Sequence, residues 1–262
     1  MPLTAEQLNH FNTFGFVVFR QLFSPEEMQT INREFDDGLD AWLDGAKHDG
    51  SKRHYASLMD GNTPYFASLA DSERFGDAAE ELLGRPVIAV AVDGNYYVGD
   101  TRWHPDTHSL DYAGVKFTIY LDPQDASNGA LRVIPGSHRE PLHSAMQRDQ
   151  MAAYGIPGDQ IPAYAFVSNP GDVLAFNVGC WHAAFGGGSP RRMATFVYYE
   201  DPQTPEAIEA VKQVMRGNQT MFTKLGRPMY PAYWRSVSDP RHQRWIRRMA
   251  ELDSLETPIG VG

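Results

Sequence analysis

Cysteine is nearly missing from this chain of 262 residues: Cys180 stands alone, so neither an intramolecular disulfide nor a thiolate zinc cluster can form. A reducing compartment is expected, read here as the cytoplasm. Positive charge is also in deficit. Twenty-three Lys and Arg against 33 Asp and Glu give a net charge of -10, which disfavours nonspecific attraction to nucleic acid or an anionic membrane. The expected partner is a small molecule. No window approaches the ~20 apolar residues that a membrane span needs, and MPLTAEQLNHF lacks the basic-then-apolar pattern of a secretory leader. Internal repeats and low-complexity linkers are absent, so one soluble domain over 1–262 is expected. What is present is a globular composition, 42% hydrophobic and 12% aromatic, enough to bury a core.

The chain divides into helical flanks, about 1–85 and 201–262, around a β-rich middle of about 86–200. Thr4 with Gln7 forms a capping-box pattern for a short helix stopped by Gly15. The apolar run 16–19 suits a strand, and Ser24-Pro25-Glu26-Glu27 starts a helix through about Trp42. Residues 43–64 are polar and predict a surface loop, followed by a helix near 71–83 that ends at Gly84. Strand-like runs then occur at 86–92, 95–98, 115–121, 130–134, 163–167, 172–176 and 193–199, separated by turn signals such as Asn128-Gly129 and Asn169-Pro170-Gly171-Asp172. This spacing predicts an antiparallel sandwich or barrel. Helices are predicted again at about 204–215 and 240–252.

Within TRWHPDTHSL, His104 and Asp106 stand two residues apart, and in an extended segment they share a face. They can be half of a metal site, an acid/base pair, or a polar turn around Pro105. His182, at the end of an apolar run and before a glycine-rich corner, is the candidate third ligand. Two histidines and one carboxylate on one face of an octahedral metal leave three open positions, the arrangement of non-heme Fe(II) oxygenases. A 2-oxo acid cosubstrate can take two of them and O2 the third. Its distal carboxylate then needs a fixed cation, which Arg191 can supply from the start of RRMATFVYY.

WHPD, SNGALRVIPGSH, NPGDVLAFNVGCWH and PRRMATFVYY follow one another in order, after an N-terminal TAEQLNHFNTFGFVVFRQLFSPEEM. In this the chain resembles the phytanoyl-CoA dioxygenase family of Fe(II)/2-oxoglutarate-dependent oxygenases. The resemblance implies a double-stranded β-helix, the cupin-like jelly roll, flanked by N- and C-terminal helices. It implies that His104, Asp106 and His182 are iron ligands, that Arg191 grips the C5 carboxylate of 2-oxoglutarate, and that Thr118 also contacts the cosubstrate. It implies hydroxylation of an unactivated C–H of a small metabolite or natural product, with release of succinate and CO2. The alternatives are a cupin-like metalloenzyme that needs no 2-oxo acid, and a non-enzymatic metabolite-binding β-domain.

Some residues depart from that pattern. Ala184 stands where many members carry a serine that helps to bind the cosubstrate, and Arg192 competes with Arg191 for the grip, although side-chain alternation puts Arg191 on one face with Met193 and Thr195. His108 reads as a supporting or surface group, His138 as part of a corner, and Cys180 as a packed small side chain. Gly186 to Gly188 lack the Lys-Ser/Thr ending of a phosphate loop. Arg241, Arg244, Arg247 and Arg248 read as a solvated helix face. The aromatic segment 221–237 either anchors the C-terminal helices or, with the loop at 43–64, roofs the site.

Overall fold

In the computed structural model, residues 2–146, 155–187, 191–224 and 226–255 are described. Thr4 caps α1 (Ala5–Phe14) through the reciprocal bonds of a capping box with Gln7, and Gly15 closes the helix at φ +81. Ser24 caps α2 (Pro25–Trp42) in the same way with Glu27. Between them runs β1 (Phe16–Phe19).

The region 43–64 is more ordered than its polarity predicts. It contains β2 (His54–Ser57), paired antiparallel to β3 (Val87–Tyr97). Next come α3 (Pro64–Asp71), a wide π turn at Glu73–Asp77 and α4 (Ala78–Leu83), where one helix was expected. Strand β3 is continuous through Asp93-Gly94-Asn95, a triplet that reads as a break because its polar members face inward. A bulge opposite Val197 and Tyr198 of β10 (Arg191–Glu200) takes up one extra residue of β3.

The remaining strands are β4 (Thr101–His104), β5 (Gly114–Tyr120), β6 (Leu131–Val133), β7 (Tyr164–Ala165), β8 (Val173–Asn177) and β9 (His182–Ala184), with the helical turn α5 (Leu142–Ala145) after β6. They form a six-stranded sheet in the order β1-β8-β5-β10-β3-β2 and a four-stranded sheet in the order β4-β9-β6-β7. The named strand pairs are antiparallel, and the two sheets make the predicted jelly roll.

Helices cover the outer face of the large sheet. Phe196 of β10 stacks on Phe66 and Phe75, and Tyr198 donates from its hydroxyl to the carbonyl of Ala70 at 2.8 Å. The C-terminal flank is α6 (Pro205–Lys224), which runs past the expected stop near Met215, then α7 (Ala232–Ser236) and α8 (Pro240–Glu251). Helix α8 docks by charge: Arg241 pairs with Asp77, Arg244 with Glu80 at 2.6 Å and Arg248 with Asp201 at 2.6 Å. Three of the four arginines expected on a solvated face therefore tie this helix to the chain in front of it. Among the described residues no helix is long and apolar enough to cross a membrane.

Candidate metal and cosubstrate site

The antiparallel register puts alternate residues of β10, β3 and β5 on the inner face of the large sheet: Arg191, Met193 and Thr195, then Tyr97, Asn95 and Asp93, then Tyr120, Thr118 and Lys116. Facing them are β4 and β9 of the small sheet, which place His104 opposite His182 with ring centroids 4.4 Å apart. Asp106 follows β4 and is fixed by its own amide, which donates to the carbonyl of Val178 at 2.9 Å. One ligand atom from each of His104, Asp106 and His182 lies within 4.8 Å of the others.

The protonation of both rings follows from their backbone bonds. His104 Nδ1 lies 2.7 Å from the carbonyl of Arg102, and His182 Nδ1 lies 2.9 Å from that of Cys180. A carbonyl only accepts, so each Nδ1 carries a proton and each ring turns Nε2 toward the cluster. Burial holds the His182 imidazole neutral, lowering its pKa to about 4. Burial pushes the pKa of Asp106 up, but Lys116 and the two histidines outweigh it and hold the carboxyl below its ordinary value. The Lys116 ammonium sits 2.8 Å from Oδ1 and 2.7 Å from Oδ2 of Asp106. Two imidazoles that turn Nε2 toward one point and an ionised carboxylate are a donor set that fits a divalent metal ion such as iron.

A cavity of about 180 Å³ opens beside the cluster, lined in part by Thr118, Tyr120, Leu131, Ala184 and Arg191. Arg191 is 3% exposed and has no carboxylate partner among the described residues. Its Nη1 donates to the carbonyl of Gly99 at 3.0 Å, and its buried Nε has no partner. Thr118 is fully buried with its hydroxyl oxygen unpaired. Such orphaned polar atoms are costly unless a ligand satisfies them, so this end of the cavity fits an anion. Arg192, on the other face, donates to Asp122 through Nη2 at 2.6 Å and Nε at 3.1 Å. It is already neutralised, and the choice left open by the sequence falls to Arg191 as the cation in the cavity.

The glycine-rich corner also finds a use. A Cβ at Gly187 would lie 1.4 Å from Arg191 Nη1, and one at Gly129 would lie 2.5 Å from it. The guanidinium thus passes between two positions that only glycine leaves open. The described side chains of the segment 221–237 do not line the cavity. Phe222, Tyr230 and Trp234 are buried in the helix-side core, with the Tyr230 hydroxyl donating to the carbonyl of Val90 at 3.0 Å and Trp234 against His242 at 4.1 Å. Of the two roles left open for this segment, these three side chains take the anchoring one. Met221 and residue 225 of that segment fall outside the described side chains. His108 is exposed, 5.8 Å from His143 and 5.7 Å from Trp181 by ring centroids, and His138 packs beside Cys180 next to Gly15.

Sequence reasoning missed Arg53, Tyr97, Tyr120 and Lys116, which line the same cavity. A lysine inside the otherwise apolar GVKFTIY was a usable signal, since buried lysines are rare unless paired. Arg53 was covered only by the general reading that the polar loop at 43–64 helps to roof the site.

A jelly roll carrying two histidines and a carboxylate at one point of its interior has the architecture of non-heme metal oxygenases. The chain belongs to the phytanoyl-CoA dioxygenase (PhyH) family, whose model matches residues 11–194. It is 25% identical over 235 residues to the ectoine dioxygenase of Sphingopyxis alaskensis, covering 75% of this chain and 76% of that one. Among solved structures it resembles EctD from S. alaskensis with bound Fe, at a TM-score of 0.61 and 24% identity over 76% of this chain and 78% of that one. It also resembles HygX from Streptomyces hygroscopicus with nickel and 2-oxoglutarate bound, at a TM-score of 0.61 and 20% identity over 79% of this chain and 94% of that one.

Proposed function

We propose that the whole chain acts as one Fe(II)- and 2-oxoglutarate-dependent oxygenase domain that hydroxylates a C–H bond of a small molecule, releasing succinate and CO2. The single observation that carries this reading is the adjoining of two unsatisfied features in one cavity. The His104–Asp106–His182 cluster presents three ligand atoms within 4.8 Å, and beside it lie the unpaired Arg191 and Thr118. The named relatives, ectoine dioxygenases and a structure with 2-oxoglutarate bound, support it. A metal-binding β-domain without 2-oxo acid chemistry would leave Arg191 buried for no purpose.

His104, Asp106 and His182 would hold the iron, which supplies a redox-active Lewis acid with open positions for the 2-oxo acid and O2. Arg191 binds the distal carboxylate of 2-oxoglutarate through a charge-assisted fork, and the Thr118 hydroxyl donates to the same molecule. Ala184 offers only a methyl group, so Arg191 carries more of that grip. The carbonyls of Arg102 and Cys180 keep both imidazoles in the tautomer that presents Nε2. Lys116 orients the Asp106 carboxylate and keeps it ionised. Phe176, with its ring 4.9 Å from His182, closes one wall against water. Cys180 is buried and its thiol is pushed up to about 12, so it stays out of the chemistry.

The test is anaerobic reconstitution with Fe(II), followed by addition of 2-oxoglutarate and then air. Bound iron at one equivalent, a visible metal-to-ligand band with 2-oxoglutarate, and succinate after oxygenation are expected. Iron binding without any response to 2-oxoglutarate would favour the cupin-like alternative instead.

A further inference from the structure

Three cations line the cavity: Arg191, Lys116 and Arg53. On the reading above, Arg191 is matched by the distal carboxylate of the cosubstrate, and Lys116 is matched by Asp106. Arg53 is left over. It has no carboxylate partner within ion-pair distance among the described residues, in a chain whose net charge of -10 supplies acids to most other arginines.

Its surroundings hold the guanidinium in place without neutralising it. Nε donates to Asn95 Oδ1 at 2.8 Å, and Nη2 donates to the same oxygen. The plane lies over the Tyr97 ring at 4.4 Å and near that of Tyr55 at 5.2 Å. An amide oxygen and two aromatic faces orient an arginine but leave its charge intact. The neighbouring acid, Asp93, is engaged by the hydroxyls of Tyr55 and Thr195, and burial pushes its pKa up. Of the five N–H bonds of Arg53, two go to Asn95; the remaining three include the pair on Nη1 and the free N–H on Nη2. That edge is the fork that grips a carboxylate with two parallel bonds.

The Tyr97 ring also lies under Arg191, 5.6 Å from its guanidinium carbon. One ring therefore carries two arginines, one nine-tenths buried and one exposed. A second dianionic cosubstrate has no place in the stoichiometry, so the exposed member meets a different molecule.

We infer that the substrate is a small molecule bearing a carboxylate, and that Arg53, oriented by Asn95 and Tyr97, is the residue that selects it. This rests on the oxygenase reading.

The experiment uses the full-length protein loaded anaerobically with Fe(II) and 2-oxoglutarate, its visible band titrated with acetate, methyl phosphate and acetamide as fragments. In the wild type, acetate is expected to perturb the band saturably and acetamide to leave it unchanged. In Arg53→Gln the acetate response should weaken about tenfold, with 2-oxoglutarate affinity within about twofold of wild type, while Arg53→Lys keeps part of it. Arg191→Gln should show the converse pattern. An acetate response equal in wild type and Arg53→Gln, or equal responses to acetate and acetamide, would overturn the inference. Methyl phosphate binding tighter than acetate would replace the carboxylate by a phosphate and overturn it as stated. Loss of 2-oxoglutarate affinity in Arg53→Gln would assign Arg53 to the cosubstrate and overturn it as well. Failure of the wild type to form the band at all is a separate outcome: it removes the oxygenase reading, and this inference falls with it.

Discussion

The two faces of the large sheet are built for different ends. On its outer side, β10 presents Ala194, Phe196 and Tyr198 to helices, where Phe196 stacks on Phe75, Tyr198 meets Trp245 edge-on and the Tyr198 hydroxyl is satisfied by the carbonyl of Ala70. On its inner side the same strand presents Arg191, Met193 and Thr195 to a small, polar interior whose apolar part is a minor cluster around Tyr120, Phe166 and Phe176. The helix-side core holds most of the buried apolar side chains and hence most of the hydrophobic stabilisation. The space between the sheets gives up packing for donors and acceptors that await a ligand. A residue's face on β10 therefore tells whether its loss will unfold the protein or silence it.

The strongest way to break this division is at the metal cluster. His104→Ala, Asp106→Ala and His182→Ala are each expected to abolish stoichiometric iron binding and succinate formation, with melting temperature little changed, as read by elemental analysis and calorimetry. Global unfolding in all three would show that the inner face is structural after all. On the outer face, Phe196→Ala should cost about 3–5 kcal/mol of stability in urea titration, with iron still bound by the folded fraction. Trp234→Ala belongs with it: the buried indole is lost, and the ratio of succinate to hydroxylated product stays as in the wild type. A changed ratio at full stability would return the segment to the site.

Adjacent arginines sharpen the comparison. Arg191→Ala should weaken 2-oxoglutarate binding by about 2–4 kcal/mol with iron binding retained, because a buried bidentate pair is lost. Arg192→Ala, which loses a partly exposed pair with Asp122, should cost about 0–1 kcal/mol of stability and leave 2-oxoglutarate affinity alone. The reverse order by calorimetric titration would move the anion site to the outer face.

The smallest expected effect is on pH dependence. Burial first, then the charges of Arg139 and His143, lower the pKa of His138 from the ordinary 6.5 to about 4. The unfolded chain takes up a proton near the ordinary value and the folded chain does not until about 4, so across that window falling pH favours unfolding. His138→Gln removes this contribution, and its stability should fall less than the wild type's between those limits. Parallel pH profiles for the two proteins would count against a neutral buried ring.

Much of the scaffold was legible because its signals are local. The reciprocal bonds of Thr4 with Gln7 and of Ser24 with Glu27 need no tertiary context, nor does Gly15 at positive φ. Strand β2 was not legible, since HYAS becomes a strand only by pairing with the edge of β3. The false break in β3 has the opposite cause: Asp93 and Asn95 look like turn residues until the inner face proves polar. Helix α6 outruns Gly217 because Phe222 is pinned between Trp42 and Tyr55. At the site, His104, Asp106, His182 and Arg191 were found through motif order, and the structure gathers them with Thr118 around one cavity. Lys116 and Arg53 come from segments without a motif, and the α8 salt bridges of Arg241 and Arg244 join residues 164 positions apart.

The passage of Arg191 between Gly129 and Gly187 has an evolutionary consequence. The guanidinium is positioned by main chain, by the carbonyl of Gly99 and by two missing methyl groups, so the proposed cosubstrate end is insulated from side-chain drift. The other end is Arg53, in the segment before the edge strand β2; its supports Asn95 and Tyr97 stand on β3, and Tyr97 is shared with Arg191, so only Arg53 itself can vary without disturbing the first. Substitution at Arg53 alone would retune the proposed substrate end and leave the glycine-framed cosubstrate end as it is. The glycine frame also makes the backbone a gauge: Gly187→Ala, by displacing the arginine from its slot, should weaken 2-oxoglutarate binding with iron binding retained, as read by calorimetric titration.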